Sequence, residues 1–168
     1  ERKEHAFFLG FIYSLIGLLS AMFIFPASVG LMSVAFTSLL LIPSLNLLLK
    51  MEENVEIREK KLSLGQLFSD HKDIFKVYIF MFLGVFLAFS ITSLLLSEVN
   101  LQQMFASQLR SAGIHGLAII QDPLLRLILN NLLVFFVCFV LSLVYGAGSV
   151  LFLTWNASVW GVAFAFFV

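Results

Sequence analysis

The sequence has little charge and a large excess of apolar side chains. Charged residues make up 12% of the 168 residues and hydrophobic residues 61%, and the mean hydropathy is +1.04. An ordinary soluble domain has about 25% charged residues, and a soluble fold of this length could not bury so many apolar side chains. We therefore expect an all-α, polytopic transmembrane helical bundle that forms one integral membrane domain over residues 1–168.

Several kinds of site and partner are not expected, because their residues are missing. The formal net charge is zero, which gives no reason to expect a nucleic-acid partner. Cys138 is the only cysteine, so no disulfide can form within the chain. His5, His71 and His115 are too far apart in sequence to suggest a metal site.

The sequence also lacks the patterns of an enzyme. No phosphate loop or dinucleotide fingerprint is present, so we expect no cofactor. Ser149 follows Gly146, Ala147 and Gly148, which is not the order of a nucleophile elbow. No Asp, Glu, Lys, Arg or His falls in the core of a predicted span, whereas ion-coupled transporters usually place one there. We expect no catalytic residues and no enzymatic activity.

Hydropathy predicts four complete spans and the start of a fifth. A span needs about 20 apolar residues, and the predicted spans are residues 7–25, 27–49, 77–97, 130–153 and an incomplete 157–168. Pro26 can begin the second helix, whereas Pro43 should kink it or loosen its last turns.

Two loops carry most of the charge. The first, 50–76, contains the capping-box sequence Ser63–Gln66 and apolar residues at helical spacing up to Tyr78, which predicts an amphipathic helix on the membrane surface before the third span. The alternative is a plain N-terminal extension of that span. In the second loop, 98–126, one stripe predicts a short amphipathic helix that ends near Gly113. The stripe consists of Leu101, Met104, Phe105 and Leu109.

Lysine and arginine are distributed unequally over the two sides of the predicted membrane domain. Arg2, Lys3 and six basic residues of the 50–76 loop lie on one side, and only Arg110 and Arg126 lie on the other. Short loops rich in lysine and arginine stay in the cytoplasm. We expect a multi-pass protein of the cell membrane, with the N-terminus and loop 50–76 cytoplasmic and loop 98–126 external.

Polar residues interrupt the uncharged run from Leu127 to Val168, which is long enough for two spans. The stretch TWNASVWG covers Thr154 to Gly161. Asn and Ser are preferred at helix starts, so Asn156 could cap a fifth helix after a turn at the cytoplasmic surface. The alternative is a helix broken inside the membrane, with Asn156 satisfying exposed backbone. The candidate residues for these breaks are Asn130, Asn131, Gly146, Gly148, Asn156, Ser158 and Gly161.

Small residues recur at four-residue spacing in three of the spans. They are Ala6, Gly10 and Ser14 in the first, Gly84, Ala88 and Thr92 in the third, and Ser142 and Gly146 in the fourth. Small residues let helices approach closely in lipid. We expect these faces to pack either against each other within the chain or against another chain. The expected partners are therefore membrane lipid and, for packing between chains, other proteins or a second copy of this chain.

Three blocks of the C-terminal half carry a family resemblance. They are Asn130-Asn131-Leu132, then Ser142-Leu-Val-Tyr-Gly-Ala-Gly-Ser149, then Leu153-Thr-Trp-Asn-Ala-Ser-Val-Trp-Gly161. The chain resembles the stage II sporulation protein M family and is most similar to its archaeal membrane branch. The opening Glu1-Arg-Lys-Glu4, Phe8-Leu-Gly-Phe-Ile-Tyr-Ser14 and Asp73-Ile-Phe-Lys-Val-Tyr78 resemble that branch too.

The resemblance implies a multi-helix membrane protein without known enzymatic activity. In sporulating bacteria the family member acts as a membrane scaffold in a complex with cell-wall hydrolases during engulfment. Family chains continue past the point that matches Val168 through at least one more helix, and this sequence begins without Met. We therefore expect it to be part of a longer protein.

Two functions remain open at this point. The first is a non-catalytic membrane scaffold that positions or recruits partner proteins. The second is a transporter or channel for a neutral or lipidic substrate, with Asn130, Asn131 and Asn156 along its path. A pore predicts that these amides face a shared cavity, whereas a scaffold predicts that they cap helix ends.

Overall fold

The computed structural model describes residues 2–56, 72–113 and 148–168, together with single positions 128, 132, 133 and 136. In the three continuous ranges it forms helices α1 (Arg2–Ile24), α2 (Val29–Glu56), α3 (Lys72–Leu94), α4 (Glu98–Met104), α5 (Ala106–Ser111) and α6 (Gly148–Phe167). The described residues contain helices and no strands, as expected.

Among the described residues, four helices are long and apolar enough to cross a membrane. These candidate spans are Lys3–Ile24, Val29–Leu47, Phe75–Leu94 and Ser149–Phe167. The chain is therefore a multi-pass membrane protein. The first three spans agree with the predicted 7–25, 27–49 and 77–97 to within a few residues.

A tight turn joins α1 to α2, and Pro26 lies within this turn rather than at the start of α2, which begins at Val29. The amide of Phe25 still donates to the carbonyl of Ala21 at 2.8 Å, and the amide of Ser28 then donates to that of Phe25 at 2.9 Å. The carbonyl of Ser28 accepts from Met32 at 3.0 Å, so it already belongs to the first turn of α2. The two helices consequently form an antiparallel hairpin.

Both ends of the predicted charged loop, 50–76, are helical in the structure. Helix α2 continues through Pro43 and ends only at Glu56, inside the predicted 50–76 loop. Helix α3 begins at Lys72, so Phe75 and Tyr78 belong to an extension of the third span rather than to a separate helix. The remainder of the predicted surface helix, including its capping box, lies outside the described residues.

The short amphipathic helix predicted after the third span is confirmed, although it is divided in two at Phe105. Ser97 begins α4, since its hydroxyl accepts from the amide of Asn100 at 3.5 Å. Leu101, Phe105 and Leu109 are buried, and the segment ends at Gly113, whose φ of 76° is the left-handed conformation that favours glycine. This pair of helices packs its apolar stripe onto the end of the bundle.

The predicted break in the C-terminal run is wrong. Helix α6 is continuous from Gly148 to Phe167 and passes through Asn156 without a turn or a cap. The predicted fourth span therefore does not end at residue 153, and no new span begins at 157. A single candidate span, Ser149–Phe167, contains both positions. Most of the predicted fourth span, 130–153, lies outside the described residues.

The four long helices contact one another in a ring. Helix α1 packs against α2 and α3, and α6 packs against α3 and α2. The side chain of Gln108 on α5 reaches Gly30 at the start of α2, and Phe105 meets Phe89 late in α3. Helices α4 and α5 therefore lie at the end of the bundle where α1 stops, opposite the end where α1 begins. We call these the distal and the proximal end.

Candidate functional site

Two glycines bring α1 and α3 into backbone contact. A Cβ added to Gly10 would lie 2.5 Å from the carbonyl oxygen of Met81. A Cβ added to Gly84 would overlap the carbonyl oxygen of Phe7 and lie 2.8 Å from the amide nitrogen of Phe11. Because backbone atoms cannot move aside as a flexible side chain can, only glycine fits these two positions.

The predicted small-residue faces of α1 and α3 meet each other. Ala6, Ser14 and Ala88 are fully buried, and Gly10 and Gly84 are buried beside them. Close approach of this kind is how helices associate in lipid, where there is no hydrophobic driving force between them. The structure thus places these faces against each other within one chain.

The other side of α3 packs against α6 through a glycine that the sequence analysis assigned to a helix break. A Cβ on Gly161 would lie 2.7 Å from the carbonyl oxygen of Phe86 and 3.1 Å from the amide nitrogen of Ser90. Ala157, one turn earlier, is fully buried. Ala157 and Gly161 repeat the four-residue spacing found in α1 and α3, and that signal was present in the sequence but was overlooked.

Small hydroxyl side chains fill the rest of the buried face of α6. Thr154 donates to the carbonyl of Val150 at 2.8 Å, and Ser158 donates to that of Trp155 at 2.7 Å. Each hydroxyl is thereby satisfied by its own helix, so it can be buried without a partner elsewhere. Thr154 and Ser158 are both fully buried. The polar residues of TWNASVWG on this face are therefore explained by their small side chains, whose hydroxyls bond to carbonyls of the same helix, and not by a helix end.

Other buried hydroxyls have no such bond. The side-chain oxygens of Ser14, Thr37, Ser38 and Ser93 make no hydrogen bond with the described residues. Thr37 lies where α1 and α2 approach, and a Cβ on Gly17 would come within 2.5 Å of its Oγ1. An unpaired polar atom away from water destabilises the fold, so each of these four hydroxyls lowers the stability of the described interior.

Gln108 holds the short helices onto the bundle. Its Nε2 donates to the carbonyl of Gly30 at 2.8 Å, and the hydroxyl of Ser33 donates to the same carbonyl at 3.0 Å. Gln108 is fully buried, and its Oε1 has no hydrogen-bond partner among the described residues. A Cβ on Gly30 would overlap that Oε1 and would lie 2.9 Å from the backbone carbonyl oxygen of Met104, which cannot move aside, so glycine is needed here for the short helices to dock. Gln108 was not among the residues predicted from the sequence, because it is polar and lies beside the apolar stripe of α5.

Asn156 faces away from the buried side of α6. Its Nδ2 donates to the carbonyl of Phe152 one turn earlier at 2.8 Å. Phe152 and Trp160, one turn to either side, are 37% and 67% exposed. The prediction that Asn156 caps free backbone N–H groups is wrong, because its amide bonds a carbonyl within an intact helix.

The remaining predicted positions divide into two groups. Gly148 is the first residue of α6, where it begins the helix. Asn130, Asn131, Ser142 and Gly146 lie outside the described residues. In the part of the chain that the structure describes, no three His, Cys, Asp or Glu side chains come together in a group that could hold a metal ion.

Comparison with known proteins returns no match. No family model, no curated protein and no solved structure matches the chain.

Proposed function

We propose that the chain is a non-catalytic integral membrane scaffold that positions or recruits partner proteins. The observation that carries the proposal is that α3 makes backbone contact on both of its sides. Gly84 of α3 contacts the backbone of α1, and Gly161 of α6 contacts the backbone of α3. Helices in direct backbone contact cannot separate or slide without losing that packing. A bundle of this kind presents its ends in a fixed geometry, as a scaffold must.

In the same proposal, the proximal end lies on the cytoplasmic side of the cell membrane. Arg2 and Lys3 begin α1 there, and the Nζ of Lys3 lies 5.7 Å from the centre of the Phe80 ring. The exposed Arg110 belongs to α5 at the distal end, which would be external. This assignment follows the excess of lysine and arginine on the proximal side.

The external contact surface of the proposed scaffold is the outer side of α4 and α5. Gln103, Ser107 and Arg110 are exposed there, while the apolar stripe of both helices is buried in the bundle. Gln108 fixes the position of this surface relative to α2 through its bond to Gly30. A partner that binds the distal end would therefore meet a preformed surface, which lowers the entropic cost of binding.

Site-specific photo-crosslinking tests the scaffold proposal. A photoreactive residue is placed at Gln103 or Ser107, and the matched control is Ile16, which is 45% exposed on the lipid-facing side of α1. The proposal expects one and the same identified protein to be captured from both distal positions and not from Ile16. Capture of lipid alone at all three positions would contradict it.

A transporter or channel for a neutral or lipidic substrate is the second candidate. The observation that favours it is the set of unpartnered hydroxyls on Ser14, Thr37, Ser38 and Ser93, since a polar solute could satisfy them. Purified protein in liposomes would show flux of uncharged solutes, and Ser14→Ala with Ser38→Ala would reduce it. Flux equal to that of empty liposomes would exclude this candidate and leave the scaffold.

A further inference from the structure

An oxygen atom of a neighbouring helix lies in front of each of five helical glycines. A Cβ added to any of them would have this oxygen as its nearest neighbour. Opposite Gly10, Gly84 and Gly161 the oxygen is a backbone carbonyl, on Met81, Phe7 and Phe86 respectively, and opposite Gly17 and Gly30 it is a side-chain oxygen, on Thr37 and Gln108. Gly113, which follows α5, has no atom within 4 Å of the same position.

Close approach of the helices does not by itself require oxygen at this position. Hydrophobic residues make up 61% of the chain, so most side-chain atoms that could touch a glycine are carbons. In glycine a hydrogen takes the direction of the Cβ, and at these five positions that hydrogen points towards the oxygen. Contacts of the form Cα–H···O recur at helix–helix interfaces and are weak hydrogen bonds.

Two of the five oxygens have no other donor. Oγ1 of Thr37 and Oε1 of Gln108 belong to fully buried side chains and accept no N–H or O–H bond from the described residues. A buried acceptor without a donor destabilises a fold. The α-hydrogens of Gly17 and Gly30 face these two oxygens and offer the donor that each of them lacks.

We propose that the five glycines are hydrogen-bond donors, whose Cα–H···O bonds fix the orientation of neighbouring helices. Between α1 and α3 the bonds are reciprocal, because Gly10 donates to α3 and Gly84 donates to α1. Hydrocarbon offers no competing donor to the acceptor oxygens. The proposal does not depend on whether the chain acts as a scaffold or as a transporter.

Gly30 is a positioning residue for α5 in this proposal. Its carbonyl accepts from Nε2 of Gln108 at 2.8 Å, and its α-hydrogen faces Oε1 of the same amide. Both ends of the amide are thereby bound to one residue, which fixes the plane of the amide as well as its position. The carbonyl bond alone would leave the amide free to rotate about that bond.

Proton NMR of the unmodified protein in detergent micelles tests the proposal for all five glycines. A hydrogen bond deshields the hydrogen that takes part in it, and only one of the two α-hydrogens of each glycine faces an oxygen. One α-hydrogen resonance of each glycine should therefore be displaced downfield of the other. Gly113 is the matched control, and its two resonances should lie closer together. Equal separations in Gly113 and in the five helical glycines would overturn the proposal.

Substitution of Thr37 tests a single bond. Thr37→Val keeps the shape of the side chain and removes its oxygen, whereas Thr37→Ser keeps the oxygen. The displaced α-hydrogen resonance of Gly17 should move back towards the other one in Thr37→Val and stay displaced in Thr37→Ser. The resonances of Gly84 should not change in either variant, which controls for an intact fold. An unchanged Gly17 resonance in Thr37→Val would overturn the proposal, and if that variant does not fold, the comparison with Gly113 in the unmodified protein decides.

Discussion

The hydroxyl oxygens of Tyr78 and Ser149 lie 3.2 Å apart, and this contact joins the start of α3 to the start of α6. Further along, the rings of Phe86 and Phe164 lie 5.9 Å apart. The two helices therefore run parallel, from the proximal to the distal end. Helix α1 runs in the same direction, so three parallel helices pack side by side with α3 in the middle, and glycines serve both of its interfaces.

Replacing Gly84 by Leu should destabilise the bundle. The added side chain would meet the backbone of Phe7 and Phe11, which cannot yield. We expect a loss of about 1–3 kcal/mol of unfolding free energy, as for overpacking of a tight core, measured by thermal or denaturant unfolding in detergent. The matched control is Leu83→Ala, because Leu83 is the adjacent residue and is 43% exposed to lipid. Equal stability of the Gly84 variant and this control would refute the tight packing of α1 on α3.

Gln108 should tolerate an apolar replacement better than a charged one. Gln108→Leu removes the bond to Gly30 but also the unpartnered Oε1, so the two effects oppose each other and the net change should stay within about 1.5 kcal/mol. Gln108→Glu buries a carboxylate against a carbonyl oxygen, which should cost several kcal/mol. Hydrogen exchange of α4 and α5, together with thermal unfolding, reports both effects.

The control for this pair is Gln103→Glu. Gln103 is exposed on α4, so the same change there should alter stability by about 0.5 kcal/mol or less. If Gln108→Glu were as stable as Gln103→Glu, Gln108 would not be buried, and the described docking of α5 on α2 would be incorrect.

Asn156→Asp should be poorly tolerated. A turn at the membrane surface would accept Asp as a helix cap, whereas at the centre of a continuous span Asp is disfavoured by about 2.5–3.5 kcal/mol. We expect a large fall in the yield of folded protein. Asn46→Asp is the matched control, because Asn46 is exposed and lies next to the last residue of the span Val29–Leu47. Similar yields for the two variants would indicate that Asn156 lies near water.

Much of the fold could be predicted from apolar run length alone. The first three spans and the stripe from Leu101 to Leu109 depend on local patterns, and the structure contains them. A helix that must bury or expose one face in lipid leaves a clear period in the sequence. Local signals of this kind do not require knowledge of which helices are neighbours.

The error at TWNASVWG has a definite physical cause. Asn, Ser and Thr can cap a helix start, but they can also bond the carbonyl three or four residues earlier inside a helix. Thr154, Asn156 and Ser158 all do the latter. The four-residue spacing of Ala157 and Gly161 favours a packed, continuous helix, but the helix against which it packs, α3, is distant in the sequence. Gln108 was missed for a related reason, since only its docking against Gly30 buries it.

Accessibility labelling of α6 tests the central claim, that this helix crosses the membrane without interruption. Single cysteines are placed at Trp155, Asn156 and Val159 in a Cys138→Ser background, with Ser107→Cys as the exposed control on α5. A water-soluble maleimide reacts with the thiolate, which forms in water and not in hydrocarbon. In intact membranes we expect Ser107→Cys to react from one side only and the three α6 positions to react from neither side. Reaction of Trp155→Cys or Asn156→Cys from either side would place TWNASVWG at the surface and contradict the account.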